Sequence, residues 1–152
     1  MENLERLLRE HDFLKHLSPA QSALLVSCAK NVRIDEGGFL MREGQPADSF
    51  FLLRKGRVAL EIDVPGKGPV QMESLGAGDM LGLSWLFPPY RVDLDARAVE
   101  PVVALAFDGA CLRGKFESDH DLGYELLRRV LEETIKRLQR VRMQRLDLFK
   151  AD

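Results

Sequence analysis

Cysteine is scarce in this chain of 152 residues: there are two, Cys28 and Cys111. Two thiolates cannot build a four-cysteine zinc or iron–sulfur site, and they do not suggest a disulfide-dense scaffold. Two free thiols in a reducing cytoplasm is the simpler expectation, with a single bridge between them the alternative. Long apolar runs are missing too. No window approaches the roughly 18 apolar residues of a membrane-spanning helix. The N-terminus, Met1-Glu2-Asn3-Leu4-Glu5-Arg6, lacks the basic and apolar regions of a signal peptide, so a cytoplasmic, bacterial-type location is expected. A positive excess is absent: 22 Lys and Arg against 24 Asp and Glu give a formal charge of −2, which argues against a stand-alone nucleic-acid binder. No Ser/His/Asp or Cys/His arrangement stands at a defensible spacing, so catalysis is not expected.

What is present suits one globular unit. Hydrophobic residues make up 45% and charged residues 30%. A chain of this length buries roughly 68–70% of its unfolded surface, enough for a core without staples. Residues 1–30 read as helices. Leu4, Leu7 and Leu8 form a stripe at helical spacing, and Ser18-Pro19-Ala20-Gln21 carries a capping box with proline at the first helical position.

From residue 31 to 107 the apolar period changes to two. Val58, Leu60 and Ile62 alternate with polar or small neighbours, and Phe50 to Leu53 is apolar on both faces. Pro65-Gly66-Lys67-Gly68 marks a hairpin, and further glycine turns lie at Gly37-Gly38, Gly44, Gly56 and Gly76 to Gly78. Short strands between such turns predict a mainly β fold with flanking helices: a double-stranded β-helix, or jelly roll. Residues 108–150 return to helix. Leu127, Leu131, Thr134, Leu138 and Val141 follow 4-3-4-3 spacing, a heptad-like seam suited to a parallel homodimer. Leu126 and Ile135 widen the stripe toward the roll. The whole chain, 1–152, is expected to form a single domain.

The segments Glu36-Gly37-Gly38-Phe39-Leu40-Met41-Arg42-Glu43-Gly44-Gln45-Pro46-Ala47-Asp48, Phe50 to Val58 and Leu75-Gly76-Ala77-Gly78-Asp79-Met80-Leu81-Gly82 resemble the cyclic nucleotide-binding domain of the catabolite activator (Crp/Fnr) family. The resemblance runs over nearly the whole chain. It implies a phosphate-binding cassette in region 76–98, in which a short helix offers free N–H groups to an anion and an arginine grips phosphate oxygens. Gly82, Leu83, Ser84, Trp85 and Arg91 then become candidate ligand residues, with Tyr90 and Arg97 as further candidates. Arg91 takes the phosphate role because it is the only cation between Lys67 and Arg97. Ser84 either donates to phosphate or caps the short helix. Trp85 either stacks on a base or packs in the core. Arg97 suits a strand-surface ion pair.

One departure stands out. Leu83 occupies the place where the family usually has Glu, whose carboxylate accepts the ribose hydroxyl. Losing a hydrogen bond to a charged group, about 1.5–3 kcal/mol, lowers affinity roughly 10–150-fold. The form from Gly82 to Arg91 resembles a variant group of stand-alone bacterial members. The family's helix-turn-helix is not expected after residue 150, and so neither is direct DNA binding.

His11, His16 and His120 lie outside the predicted strands, where a jelly-roll metal site would need its ligands, so no metal is expected. Two functions remain. One is a sensor that binds a small phosphate-bearing ligand, cAMP or cGMP, in the β-roll and signals through the C-terminal helix, with no required cofactor and no membrane contact. The other is a degenerate module that binds no nucleotide and serves dimerisation or docking to an unknown protein partner.

Overall fold

The computed structural model describes residues 3–150. Helix α1 (Leu4–Glu10) starts where the Asn3 side chain accepts from the Arg6 N–H. A one-turn 3₁₀ helix (Asp12–Leu14) follows. Helix α2 (Pro19–Val26) opens on the predicted capping box: Ser18 accepts from the Gln21 N–H at 3.1 Å, and Gln21 accepts from the Ser18 N–H at 3.0 Å. The helical run is shorter than 30 residues, because β1 (Ala29–Ile34) already begins at Ala29.

Seven more strands follow: β2 (Phe39–Met41), β3 (Ser49–Lys55), β4 (Val58–Val64), β5 (Gly68–Leu75), β6 (Met80–Leu81), β7 (Asp95–Ala98) and β8 (Val102–Asp108). They form two antiparallel four-stranded sheets, ordered β1-β8-β3-β6 and β2-β7-β4-β5. This is the expected jelly roll, with helices at both ends. β4 and β5 close on the predicted hairpin, where the Lys67 N–H donates to the Val64 carbonyl at 2.9 Å.

Two apolar clusters explain why β3 is apolar on both faces. Phe51 and Leu53 point between the sheets, with Val58, Leu60, Leu75, Leu81, Ala96, Ala98, Ala104 and Ala106. Phe50 and Leu52 alternate to the other face and join Leu105 and Phe107 beneath the helices, against Leu8, Phe13, Leu25, Trp85, Leu112 and Leu126. β8 sorts the same way, with alanines inside the roll and large residues under the helices.

Helix α3 (Gly109–Ser118) is capped by Asp108, which accepts from the Cys111 N–H at 2.9 Å. Helix α4 (His120–Lys150) has 31 residues and is about 46 Å long. Leu122, Leu126 and Val130 bury its first half against the body. Beyond Val130 the inward stripe turns ionic, with Glu133 and Arg137 half-buried, and the second half projects. Ile135, expected to touch the roll, is 46% exposed instead, because the face turned to the body at that level carries Glu133 and Arg137.

The expectation of free thiols is also overturned. Cys28 and Cys111 are disulfide-bonded, with Cα atoms 5.5 Å apart across 83 residues of sequence. The cause is the β1–β8 register. Ala29 pairs with Phe107, so the residue before β1 meets the first turn of the helix after β8. That distance lies inside the range a disulfide spans.

Candidate functional site

β6 pairs with β3 through Leu81–Phe51 and Met80–Leu52 and delivers the chain to Gly82. Only glycine fits there. Its φ is +91°, and a Cβ would lie 2.9 Å from the Ser49 carbonyl oxygen and 3.2 Å from Met41 Sδ. A one-turn 3₁₀ helix, Ser84–Leu86, follows. Its N-cap is Leu83, which makes no side-chain capping bond, so Ser84 is not a cap.

Trp85 belongs to the core, not to a binding surface. It is 1% exposed, with its ring 5.6 Å from Phe50 and 6.1 Å from Phe116. Its indole N–H donates to the Gly82 carbonyl at 2.8 Å. Of the two readings open in the sequence, stacking on a base or packing in the core, the structure takes the second and so removes Trp85 from the candidate ligand residues: the short helix points the indole inward, where it fixes the cassette. The Trp85 carbonyl accepts from Arg113 Nη1 at 2.6 Å, and the Arg113 guanidinium lies 4.3 Å over the Tyr90 ring. α3 thus backs both ends of the cassette loop.

The loop returns beside residues 44–47. The Ala47 N–H donates to the Tyr90 carbonyl at 2.8 Å, and the Val92 N–H donates to the Gln45 carbonyl at 2.9 Å. Arg91 and Pro46 form an isolated bridge. Extended backbone sends neighbouring side chains to opposite sides. Val92 turns inward and is buried; Arg91 turns outward and is exposed.

Two clefts result. The outer one, about 690 Å³, has Leu83, Ser84, Leu86, Phe87, Pro88, Pro89, Tyr90, Arg91 and Asp93 on one wall. Leu127, Val130, Leu131 and Thr134 of α4 form the other wall. The inner one, about 260 Å³, is lined by Phe39, Leu40, Met41, Arg42, Gln45, Pro46, Ala47, Asp48, Ser49, Phe51 and Val92. Its cation is Arg42, which lies 3.9 Å over the Phe39 ring and 3.8 Å from an Asp95 oxygen. Sequence reasoning missed Arg42 because it lies far from the cassette along the chain. Its one signal was its place in the quoted segment Glu36 to Asp48.

The other candidates sort clearly. Arg97 lines neither cleft. It donates through Nε and Nη2 to both oxygens of Glu61 at 3.0 Å, and this hydrogen-bonded carboxylate raises its pKa above the ordinary arginine value. That is the expected strand-surface pair. Of the seam residues, Leu127, Leu131 and Thr134 wall the outer cleft, while Leu138 and Val141 lie further along α4. Leu127, Leu131, Leu138 and Val141 are 40–59% exposed, and the Thr134 hydroxyl donates to the Val130 carbonyl at 2.7 Å.

His11 is a structural joint. Its Nδ1 accepts from the Phe13 N–H at 3.1 Å, which assigns the hydrogen to Nε2, donating to the Leu53 carbonyl at 2.9 Å. Burial pushes its pKa below the ordinary value. Among the described residues no group of three His, Cys, Asp or Glu side chains could hold a metal ion. No helix among them is long and apolar enough to cross a membrane.

A family model described as the cyclic nucleotide-binding domain matches residues 31–119. The chain belongs to that family. Among solved structures, a putative cyclic nucleotide-binding protein from Geobacter metallireducens GS-15 is similar, with a TM-score of 0.79 and 29% identity over 91% of this chain and 99% of that one. Human cGMP-dependent protein kinase 2 is 28% identical over 91% of this chain, which spans 18% of the kinase. A CRP-like cAMP-activated global transcriptional regulator of Mycobacterium tuberculosis is 23% identical over 88% of this chain, which spans 59% of the regulator. The cyclic nucleotide-binding domain is a regulatory unit; the kinase activity named among these relatives belongs to parts of them that this chain does not cover.

Proposed function

We propose that this cyclic nucleotide-binding domain senses a phosphate-bearing ligand, cAMP or cGMP, bound beside the Gly82–Leu86 segment. Arg91 supplies the charge, and Ser84 and nearby backbone N–H groups supply donors. The observation that carries this reading is the shared cleft. Ser84 and Arg91 face Leu127, Leu131 and Thr134 across about 690 Å³, a volume in the range of small-molecule sites. A ligand there would touch the cassette and the helix together, so its binding energy would bias how α4 sits. The exposed seam from Leu127 to Val141 would pass that bias on, to a second copy in a parallel homodimer or to a protein partner. The relatives' own descriptions, cGMP-dependent and cAMP-activated, support the ligand class.

A second reading, a docking module without nucleotide, is favoured by two residues. Leu83 replaces the family's carboxylate, and the buried Val92 follows Arg91 where the family resemblance implies a small or hydroxyl residue.

Isothermal titration calorimetry against cAMP and cGMP separates the two. Sensing predicts saturable heat that weakens roughly 10–150-fold in Arg91→Ala, the worth of a charged hydrogen bond. In Arg42→Ala affinity would be unchanged. No heat from folded protein with either nucleotide would move the assignment to the docking module.

A further inference from the structure

We infer that Cys28 and Cys111 form a reversible redox modification site whose co-reactant is a low-molecular-weight disulfide of the glutathione class. The inference rests on the fold alone and not on nucleotide binding. The two sulfurs are bonded in the structure, with Cα atoms 5.5 Å apart. They are unequally accessible: Cys28 is 5% exposed, whereas Cys111 is half-buried at the surface of α3. An incoming reagent therefore meets Cys111.

The Cys111 thiolate attacks one sulfur of the small disulfide. That S–S bond breaks, and half of the reagent leaves as a thiolate, which takes up a proton. The Cys28 thiolate then attacks Cys111 Sγ in the mixed disulfide, forms the protein S–S bond and expels the second half as a thiol. Two protein thiols lose two electrons and two protons; one small disulfide becomes two thiols. Excess small thiol runs the steps backwards.

The bond matters because of where α3 stands. Cys111 lies between two residues that back the cassette. A Cβ on Gly109 would lie 2.7 Å from the Trp85 Cβ, so the helix start presses directly on Trp85. Arg113 holds the Trp85 carbonyl and covers Tyr90. The disulfide ties this turn of α3 to the α2–β1 junction, where the Asp108 N–H donates to the Cys28 carbonyl at 2.8 Å. Reduction leaves that end held by hydrogen bonds, including the one from the Gly109 N–H to the Asp48 carbonyl at 2.8 Å. The oxidation state of the pair thus sets how firmly the cassette is backed.

Trp85 is the sole tryptophan, so its fluorescence reports on this contact without a label. The full chain would be equilibrated in graded mixtures of reduced and oxidised glutathione, with no nucleotide present. Thiol alkylation and intact mass would count the bridge, and acrylamide quenching would follow Trp85. The expected result is reversible conversion within the graded series, with red-shifted emission and stronger quenching in the reduced form. Cys111→Ser should match the reduced wild type; should that variant not fold, the reduced wild type gives the same reading. The inference is overturned if both thiols stay reduced at every ratio, if the bridge survives the most reducing mixture, or if conversion leaves Trp85 quenching unchanged.

Discussion

The inner and outer clefts share one stretch of backbone, Arg91–Val92, yet they offer a ligand different surfaces. The inner cleft lies at the mouth of the roll, holds about 260 Å³, and receives Val92 from that stretch. The outer cleft holds about 690 Å³, receives Arg91, and has α4 as its far wall. Strand alternation makes the difference. The Ala47–Tyr90 and Val92–Gln45 hydrogen bonds fix the register, and a slip of one residue would exchange the two side chains. One peptide unit therefore decides whether the cassette cation can reach the helix that would carry the output. The inner cleft has its own cation, Arg42, but that guanidinium already faces Phe39 and Asp95.

The strongest way to sharpen the contrast is to restore the missing acceptor. Leu83 walls the outer cleft and not the inner one. Leu83→Glu should raise affinity for cAMP or cGMP roughly 10–150-fold, the reverse of the loss expected from the missing charged hydrogen bond. Calorimetry on the variant checks this, and unchanged affinity would detach the ligand from the outer wall.

A smaller effect supplies a control remote from both clefts. His11 ties the first helices to β3 through the Leu53 carbonyl. Burial, first among its causes, lowers the folded pKa below the ordinary 6.5, so the unfolded chain binds the proton more readily. This contribution to stability is whole above 6.5 and is lost as pH falls from there through the folded value. Urea midpoints measured against pH should decline over that window, and His11→Gln should flatten the decline. Ligand affinity should not follow the same curve.

The roll was legible because its signals are local and repeated. The period-two pattern placed β3 and β4, and Pro65 to Gly68 placed a hairpin that the structure keeps. The capping box at Ser18 fixed the start of α2 to the residue. The cassette was only half legible. Its glycine turn and its short helix are where the pattern put them, but one helical turn has no periodicity to say which way Trp85 faces. Arg42 required the register of β2 on β7, which shifts between Phe39 and Met41. The disulfide, between cysteines 83 residues apart, required the β1–β8 pairing. Ile135 lies on a face of α4 turned away from the body, while Glu133 and Arg137 face inward, so apolar spacing alone could not tell packing from exposure.

The central claim, that a phosphate ligand sits between the cassette and α4, is tested most directly by methyl chemical shifts during titration with cAMP or cGMP. The account predicts that the methyl signals of Leu83, Leu127 and Leu131 move together, and that those of Leu40, Met41 and Val92 stay in place. Shifts confined to Leu40, Met41 and Val92 would put the ligand in the inner cleft and contradict it.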